Sequence, residues 1–230
     1  GLMYEEKEDF KKALAIYTEL YEQSQDLTAA SRISQIYLRQ EKYQEAVPFL
    51  EAAALGDPDD LNSMVKLGLV YMELKRFDDS IEVFGKILEK TPEADRVLYY
   101  LGAVYEETGD DANAVKTLSR IPADSKLYGD AAVHVALSLK KQGKVPEALA
   151  ALEESIRKSP LHSSFYIVKA SLEDETGKID RAARTLEEGL KSFPDDEKIH
   201  YYLGSIEDRR GNIDKGLEHM EKILRVNPDH

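Results

Sequence analysis

Histidine is the side chain in this sequence with the widest chemical repertoire, because it can exchange protons and bind metals near neutral pH. Metal ligation needs such residues at a spacing that brings them together, as in an H-E-x-x-H motif or an i, i+4 pair on a helix. No histidine here has either spacing, so we expect no metal site. The five histidines are His134, His162, His200, His219 and His230.

Carboxylates are numerous and occur in short runs, "EEKED" at 5–9, "DPDD" at 57–60 and "PDDEK" at 194–198. Such runs are typical of solvated faces and helix starts, where acids complement the helix dipole, rather than of a general acid and base. Cysteine is absent, which excludes thiolate chemistry and disulfides. The phosphate-binding and nucleophile-elbow glycine motifs are also absent. We therefore expect no enzyme activity, no catalytic residue and no cofactor.

The charge balance limits the partners. The 230 residues include 44 acidic and 31 basic side chains, so the net charge is -13, and the basic residues form no cluster in the sequence. Nucleic-acid binding needs clustered positive charge, so it is not expected. The longest apolar stretch, "LGLVYM" at 67–72, is too short to span a membrane. We expect a soluble protein, either cytoplasmic or, if an upstream signal has been removed, periplasmic.

The elements that position these side chains follow a 34-residue period. Pro58 and Pro92 are 34 residues apart, and so are Pro160, Pro194 and Pro228. A period of this length indicates stacked repeats. If Leu61 is position 1, there are six complete repeats after a partial one at 1–26, in one continuous domain. The complete repeats are 27–60, 61–94, 95–128, 129–162, 163–196 and 197–230.

Each repeat carries two apolar stripes of helical period, which predict a helical hairpin. Positions 8 and 20 are always small, as expected where two helices approach closely. Position 24 is large and apolar, as in Leu50, Phe84 and Leu152, and should fill the space between hairpins. Glycines at 109, 143, 177 and 211 fall between the two helices, where a positive φ is common.

Three features depart from this pattern. Pro48 lies inside a second helix, where it should remove one backbone bond and bend the helix. The repeat at 95–128 has Pro122 in place of the closing proline, so we expect its second helix to end near Ile121 and the next helix to begin near Ser125. Glu173, Glu207 and Lys169 replace apolar residues, which should make the last two first helices less apolar.

The spacing L-G-x-x-Y, then Ala, a large apolar residue and Pro, resembles the tetratricopeptide repeat (TPR). The stretch "LGLVYMELKRFDDSIEVFGKILEKTP" at 67–92 carries nearly all of it. Half-TPR and pentatricopeptide arrays are weaker matches. The resemblance implies an all-α, right-handed superhelical solenoid of hairpins, with first helices lining a concave groove. It also places His200 where the family often has Trp, so an aromatic packing role is expected there.

In this family, positions 2, 5, 9 and 12, with some contribution from 6 and 13, point into the groove. Apolar residues in such a surface indicate binding, although they could instead pack between neighbouring first helices. Charges of both signs, including Lys141, Glu73 and Glu175, surround the strip. The residues that the resemblance predicts to bind a partner are Val65, Leu69, Met72, Arg96, Tyr99, Tyr100, Val133, Leu137, Lys140, Ile167 and Tyr201.

Co-chaperone TPR domains bind a C-terminal carboxylate with Lys at position 5 and Asn at position 9. No repeat here has either residue at those positions, so chaperone tails are not expected as ligands. The resemblance implies a non-catalytic scaffold that binds a peptide or helix of a protein partner in the groove. The alternative is a structural or oligomerisation element, or a fragment of a larger assembly protein, self-associating through its terminal repeats.

Overall fold

Aspartate side chains begin five of the helices. Asp9, Asp26, Asp60, Asp110 and Asp196 each accept a hydrogen bond from the backbone N–H group three residues further on, at 2.7–3.3 Å. These bonds satisfy N–H groups that the first helical turn leaves without a partner. Three of the caps lie in the acidic runs at 5–9, 57–60 and 194–198, so the expectation that such acids cap helices is confirmed.

The computed structural model describes residues 1–226, and these contain fourteen α-helices and no strand. Pro228 and His230, which the sequence analysis used, lie outside the described residues. The chain divides into two compact bodies, residues 1–109 (the N-terminal body) and residues from 110 onward (the C-terminal body). The all-α prediction is confirmed for the described part of the chain.

The N-terminal body contains seven helices, which pack in order along the chain. Its inner surface includes Ala13, Tyr17, Ile33, Leu50 and Phe84, all nearly inaccessible to solvent. The helices are α1 (Leu2–Glu6), α2 (Phe10–Ser24), α3 (Leu27–Arg39), α4 (Tyr43–Gly56), α5 (Leu61–Glu73), α6 (Phe77–Lys90) and α7 (Asp95–Glu107).

The C-terminal body also contains seven described helices with the same sequential packing. Leu152, Phe165, Leu186 and Leu203 form the centre of its buried surface. The helices are α8 (Asp111–Leu118), α9 (Tyr128–Lys141), α10 (Val145–Lys158), α11 (Ser163–Glu175), α12 (Ile179–Ser192), α13 (Glu197–Arg209) and α14 (Ile213–Val226).

Close helix contacts explain the small residues at positions 8 and 20, all twelve of which are buried. At position 8 of α5, a Cβ added to Gly68 would lie 2.5 Å from the ring of Phe84. The Ser80 hydroxyl on α6 donates to the Gly68 carbonyl at 2.9 Å across the same contact. A larger side chain at either position would push the two helices apart.

The link between the helices of each complete repeat has the same backbone conformation at position 15. Gly109, Gly143, Gly177 and Gly211 have φ between 75° and 82° there, so the expected positive φ is confirmed. In two earlier repeats the same left-handed conformation is held by Glu41 and Lys75, both at φ 57°.

The helix ends around Pro122 differ from the sequence-based prediction. α8 ends at Leu118 rather than near Ile121, and α9 begins at Tyr128 rather than near Ser125. A residue that precedes proline avoids helical backbone, so the segment before Pro122 closes in short turns instead. Ser125 belongs to the following turn, where its hydroxyl accepts the Leu127 N–H at 3.1 Å. Pro48 lies within α4, and the bend expected there stays a prediction.

Glu173 and Glu207, at position 11 of the last two repeats, are each about 1% exposed. Thr185 donates to Glu173 at 2.6 Å, and the Arg181 guanidinium lies 3.4 Å from the other oxygen. Glu207 accepts hydrogen bonds from Arg210 at 2.5 Å and Asn212 at 2.6 Å. Burial of these carboxylates is tolerated because both oxygens have partners.

Candidate partner-binding surface

The N-terminal body places six of the predicted groove residues on α5 and α7. Val65, Leu69 and Met72 on α5 are all half-buried. On α7, Arg96 is exposed, while Tyr99 and Tyr100 are half-buried. None of the six belongs to the buried core, so their side chains are available at the surface of this body.

Tyr100 is held in place from two sides. Its ring stacks on Phe84 with centroids 6.0 Å apart and an interplanar angle of 28°. Arg96, one turn earlier on α7, donates a hydrogen bond to its hydroxyl at 3.3 Å. This hydrogen bond raises the pKa of Arg96, so the guanidinium is a permanent positive charge at this surface.

A cleft of about 870 Å³ opens between α5 and α7, and we call it the N-terminal cleft. Val65 and Leu69 form its apolar floor, whereas Arg96 and Lys66 bring positive charge to it. It includes three of the predicted groove residues and extends to the α6–α7 loop. Its lining consists of Leu61, Asn62, Val65, Lys66, Leu69, Ile87, Thr91, Pro92, Glu93, Ala94, Asp95, Arg96 and Val97.

The C-terminal body carries the other five predicted groove residues on three helices. Val133 on α9 and Ile167 on α11 are half-buried. Leu137 on α9 is 36% exposed, and Tyr201 on α13 is 58% exposed. Lys140 is held by an ion pair with Glu175, at 2.7 Å, between α9 and α11.

A second cleft, of about 620 Å³, opens between α11 and α13, and we call it the C-terminal cleft. Tyr201 and Tyr202 form its aromatic side, with ring centroids 5.8 Å apart in an edge-to-face arrangement. Ile167 and Val168 provide the facing aliphatic side. The full lining is Ser163, Ser164, Ile167, Val168, Glu197, Lys198, Tyr201 and Tyr202.

The predicted groove residues therefore fall into separate groups. Val65, Leu69 and Arg96 line the N-terminal cleft, and Ile167 and Tyr201 line the C-terminal cleft. Val133, Leu137 and Lys140 lie together on α9, outside these two linings. The remaining three lie beside the N-terminal cleft on α5 and α7 and are absent from its lining: Met72, Tyr99 and Tyr100.

The sequence analysis missed the cation Lys198 and the polar side chains of Asn62 and Ser164, which the clefts include. A signal for Lys198 was present, since it occupies position 2 of its repeat, as Arg96 does. Lys198 has no ion-pair partner in the part of the chain described, residues 1–226. It is therefore a second positive charge available to a ligand.

His200 and His219 do not line either cleft. His200 is 3% exposed, and its Nδ1 lies 2.9 Å from Nδ1 of His219. Its Nε2 lies 2.8 Å from the Pro194 carbonyl oxygen, so Nε2 carries a proton and donates. Burial, followed by the charge of His200, lowers the pKa of His219. Residues 1–226 contain no group of three His, Asp or Glu side chains placed to hold a metal ion.

The family follows from matches along the whole sequence. One tetratricopeptide-repeat model matches residues 37–94 and 71–137, and another matches 1–61, 136–178 and 167–230. The chain belongs to the tetratricopeptide repeat family. No curated protein matches its sequence significantly.

Solved structures show the same fold. The C-terminal part of a TPR protein from Cytophaga hutchinsonii aligns over 99% of this chain and 94% of its own, with 11% identity and a TM-score of 0.71. A TPR protein from Parabacteroides merdae covers 98% and 90%, with 18% identity and a TM-score of 0.58. YrrB covers 79% and 93%, with 18% identity and a TM-score of 0.52. The predicted TPR solenoid class is thus confirmed.

Tetratricopeptide repeats are in general protein-interaction scaffolds, and membership of the family gives this chain that general role. None of the helices described between residues 1 and 226 has the length and apolar character needed to cross a bilayer.

Proposed function

We propose that this chain is a non-catalytic scaffold that binds a peptide or helix of a protein partner on its first helices, in the groove that the family resemblance predicts. The supporting observation is the exposure of large apolar side chains that the hairpin core does not use. Tyr201 is 58% exposed, Tyr202 44% and Leu137 36%, while the core residues of the same helices are nearly inaccessible. Contiguous exposed apolar surface is typical of binding sites.

The polar surroundings of these residues favour a peptide over a small apolar ligand. Arg96 and Lys198 stand at the clefts as potential partners for carboxylates, and Asn62 and Ser164 can bond peptide groups. A mixed lining of this kind suits an extended or helical segment that offers both apolar and polar groups. YrrB is described as a TPR protein with an unusual peptide-binding site, which is consistent with this use of the fold.

The test is affinity capture from lysate of the source cells with wild-type chain and with the double variant Tyr99→Ala, Leu137→Ala. Truncating an aromatic anchor costs about 2 kcal/mol or more where it carries binding, so partners recovered by wild type should be lost. Leu55→Ala is the matched control, since Leu55 is 78% exposed on α4 and is not one of the predicted groove residues. Unchanged recovery by the double variant would count against the proposal.

A second candidate is an oligomerisation element, and one observation favours it. On α14, three aliphatic side chains are more than half exposed: Ile213, Leu217 and Leu224. Of the residues equivalent to Leu217 in earlier repeats, Val47 and Ala183 are buried, and Ile81, Val115 and Leu149 are half-buried. Light scattering at several concentrations tests this candidate, and a monomer at every concentration would eliminate it.

A further inference from the structure

The two clefts occupy the same place in two different repeats. Three residues that line the N-terminal cleft have counterparts in the C-terminal cleft. Each counterpart lies 102 residues later in the sequence, which is three periods of 34. Both clefts open between consecutive first helices, α5 with α7 and α11 with α13. The corresponding pairs are Asn62 with Ser164, Val65 with Ile167, and Arg96 with Lys198.

The counterparts share their chemistry. Val65 and Ile167 are both half-buried and β-branched, so each offers a stiff aliphatic wall. Arg96 and Lys198 are both exposed cations at the second residue of the following first helix. Asn62 and Ser164 each add a hydrogen-bonding side chain. A ligand that suits one cleft therefore meets the same kinds of groups in the other.

Each cleft also contains acidic side chains: Asp95 and the exposed Glu93 line the N-terminal cleft, and Glu197 lines the C-terminal cleft. Asp95 and Glu197 are the first residues of α7 and α13, where a carboxylate complements the helix dipole. The Asp95 carboxylate accepts the Arg96 backbone N–H at 2.7 Å. Arg96 and Lys198 are the exposed cations of the following first helices, and Lys198 has no ion-pair partner within residues 1–226.

We propose that the two clefts are independent sites for one class of ligand, a partner segment with an aliphatic side chain close to a carboxylate, so that one chain binds two such segments. The aliphatic side chain lies against Val65 or Ile167, and the carboxylate pairs with Arg96 or Lys198. This inference rests on the proposed scaffold function and specifies its ligand and its stoichiometry.

The clefts differ in composition. Lys66 of the N-terminal cleft corresponds to Val168 of the C-terminal cleft, and Leu69 corresponds to Ser171, which does not line the C-terminal cleft. The second cation, Lys66, favours an acidic segment at the N-terminal cleft, whereas Val168, Tyr201 and Tyr202 add apolar surface to the C-terminal cleft. Arg96 and Lys198 are exposed, so added salt should weaken their pairing with a ligand carboxylate, while it also screens the repulsion between an acidic ligand and the net charge of -13 of the chain.

The experiment selects peptides from a displayed library of random nine-residue segments against the intact chain, and then titrates the best selected peptide calorimetrically. The expected peptide has Leu, Ile or Val within a few residues of Asp or Glu, and it binds two equivalents per chain. Arg96→Glu and Lys198→Glu change exposed residues and should leave the fold intact. Each should weaken one of the two sites by about tenfold or more and spare the other.

Val65→Ser and Ile167→Ser provide a second pair of variants that remove the aliphatic wall without adding charge. Leu55→Glu is the matched control, because Leu55 is exposed and lies outside the clefts. Two equivalents in wild type, one strong equivalent in each single cleft variant and two in the control would support the inference.

Four results would overturn it. One equivalent in wild type, loss of both sites in a single cleft variant, or selection of peptides without acidic residues each contradicts two matching sites. Failure to enrich any peptide would also overturn it. Capture of a larger partner that depends on Tyr99 and Leu137 could still succeed in any of these cases, so the scaffold proposal is judged separately.

Discussion

Replacing Lys75 with glycine should stabilise the hairpin of α5 and α6. Lys75 holds a φ of 57°, a conformation that glycine takes in four other repeats. Its N–H donates to the Met72 carbonyl at 2.9 Å, and the next N–H, from Arg76, donates to Tyr71 at 2.8 Å. These two bonds close the end of α5 and fix the left-handed backbone whichever residue stands there.

The size of the effect follows from two opposing costs. A left-handed backbone conformation destabilises a residue with a Cβ by about 1–2 kcal/mol. Glycine lowers the stability by about 0.5–1 kcal/mol because it loses more conformational freedom on folding. Lys75 is exposed, so few contacts are lost with its side chain. The net stabilisation by Lys75→Gly should be about 0.5–1 kcal/mol, or roughly 1–4 °C in melting temperature for a chain of this size.

The assay is urea unfolding followed by circular dichroism, combined with hydrogen exchange of the Arg76 N–H, which reports on this turn alone. Lys75→Ala is the matched control and should change little, because alanine also carries a Cβ. Gly143→Ala, with φ 75° at the equivalent position, should destabilise the chain by about 1 kcal/mol. Faster exchange in Lys75→Gly than in Lys75→Ala would refute the reasoning.

Four further predictions concern single side chains. Gly85→Ala in α6 should raise the free energy of unfolding by up to about 1 kcal/mol, since no atom lies within 4 Å of the added Cβ. Gly68→Ala should lower it by about 1–3 kcal/mol, because its Cβ would meet Phe84; equal urea midpoints for the two would contradict this. The lowered pKa of His219 means that the unfolded chain binds this proton more readily, so stability should fall as pH drops below the ordinary value of 6.5. His219→Gln should reduce that loss in urea unfolding at several pH values, and an unchanged slope would be the contrary result. Burial and the hydrogen bond to Glu5 raise the pKa of Tyr17 to about 12, so Tyr17→Phe should leave the tyrosinate absorbance unchanged up to about pH 11.

The sequence predicts the helical hairpins well because their packing repeats. Positions 8, 15 and 20 each impose one requirement, small size or a positive φ, and the same requirement recurs every 34 residues. Pro122 shows where this fails, because proline affects the backbone before it and the turn after it. The repeat pattern shows that the segment around Pro122 is irregular. The ends of α8 and α9 depend on which short turns connect the two helices, and the pattern does not contain that information.

The buried acids show a second limit. Sequence analysis describes Glu173 and Glu207 as making their helices less apolar, whereas both are buried and hydrogen-bonded. Their partners, such as Thr185 and Arg210, lie on the neighbouring helix or beside the turn, and periodicity of apolar residues does not reveal them. A pair of compensating polar residues is visible only when the two helices are packed together.

The candidate surface was predictable in part. The repeat frame selects the first helices, and residues such as Val65, Ile167 and Tyr201 lie at clefts between them. Binding of a partner at these clefts stays a prediction. Where the clefts open depends on the space between consecutive first helices, which side-chain size at several positions determines together. Comparing equivalent positions three repeats apart would have revealed Lys198.

The contacts of the side chains at position 11 affect how cooperatively neighbouring hairpins unfold. The Tyr71 hydroxyl donates to Glu51 at 2.5 Å on the preceding hairpin, whereas Glu173 bonds within its own hairpin. Further along, neighbouring hairpins are joined by ion pairs such as Arg209 with Asp174, at 2.5 Å. Salt weakens such exposed pairs but not a part-buried phenol. In a linear array, nearest-neighbour coupling sets cooperativity, so salt should slightly weaken the coupling of the last hairpins, which the apolar cluster of Leu186, Ile199 and Leu203 still joins, and should leave the coupling of α4 to α5 unchanged.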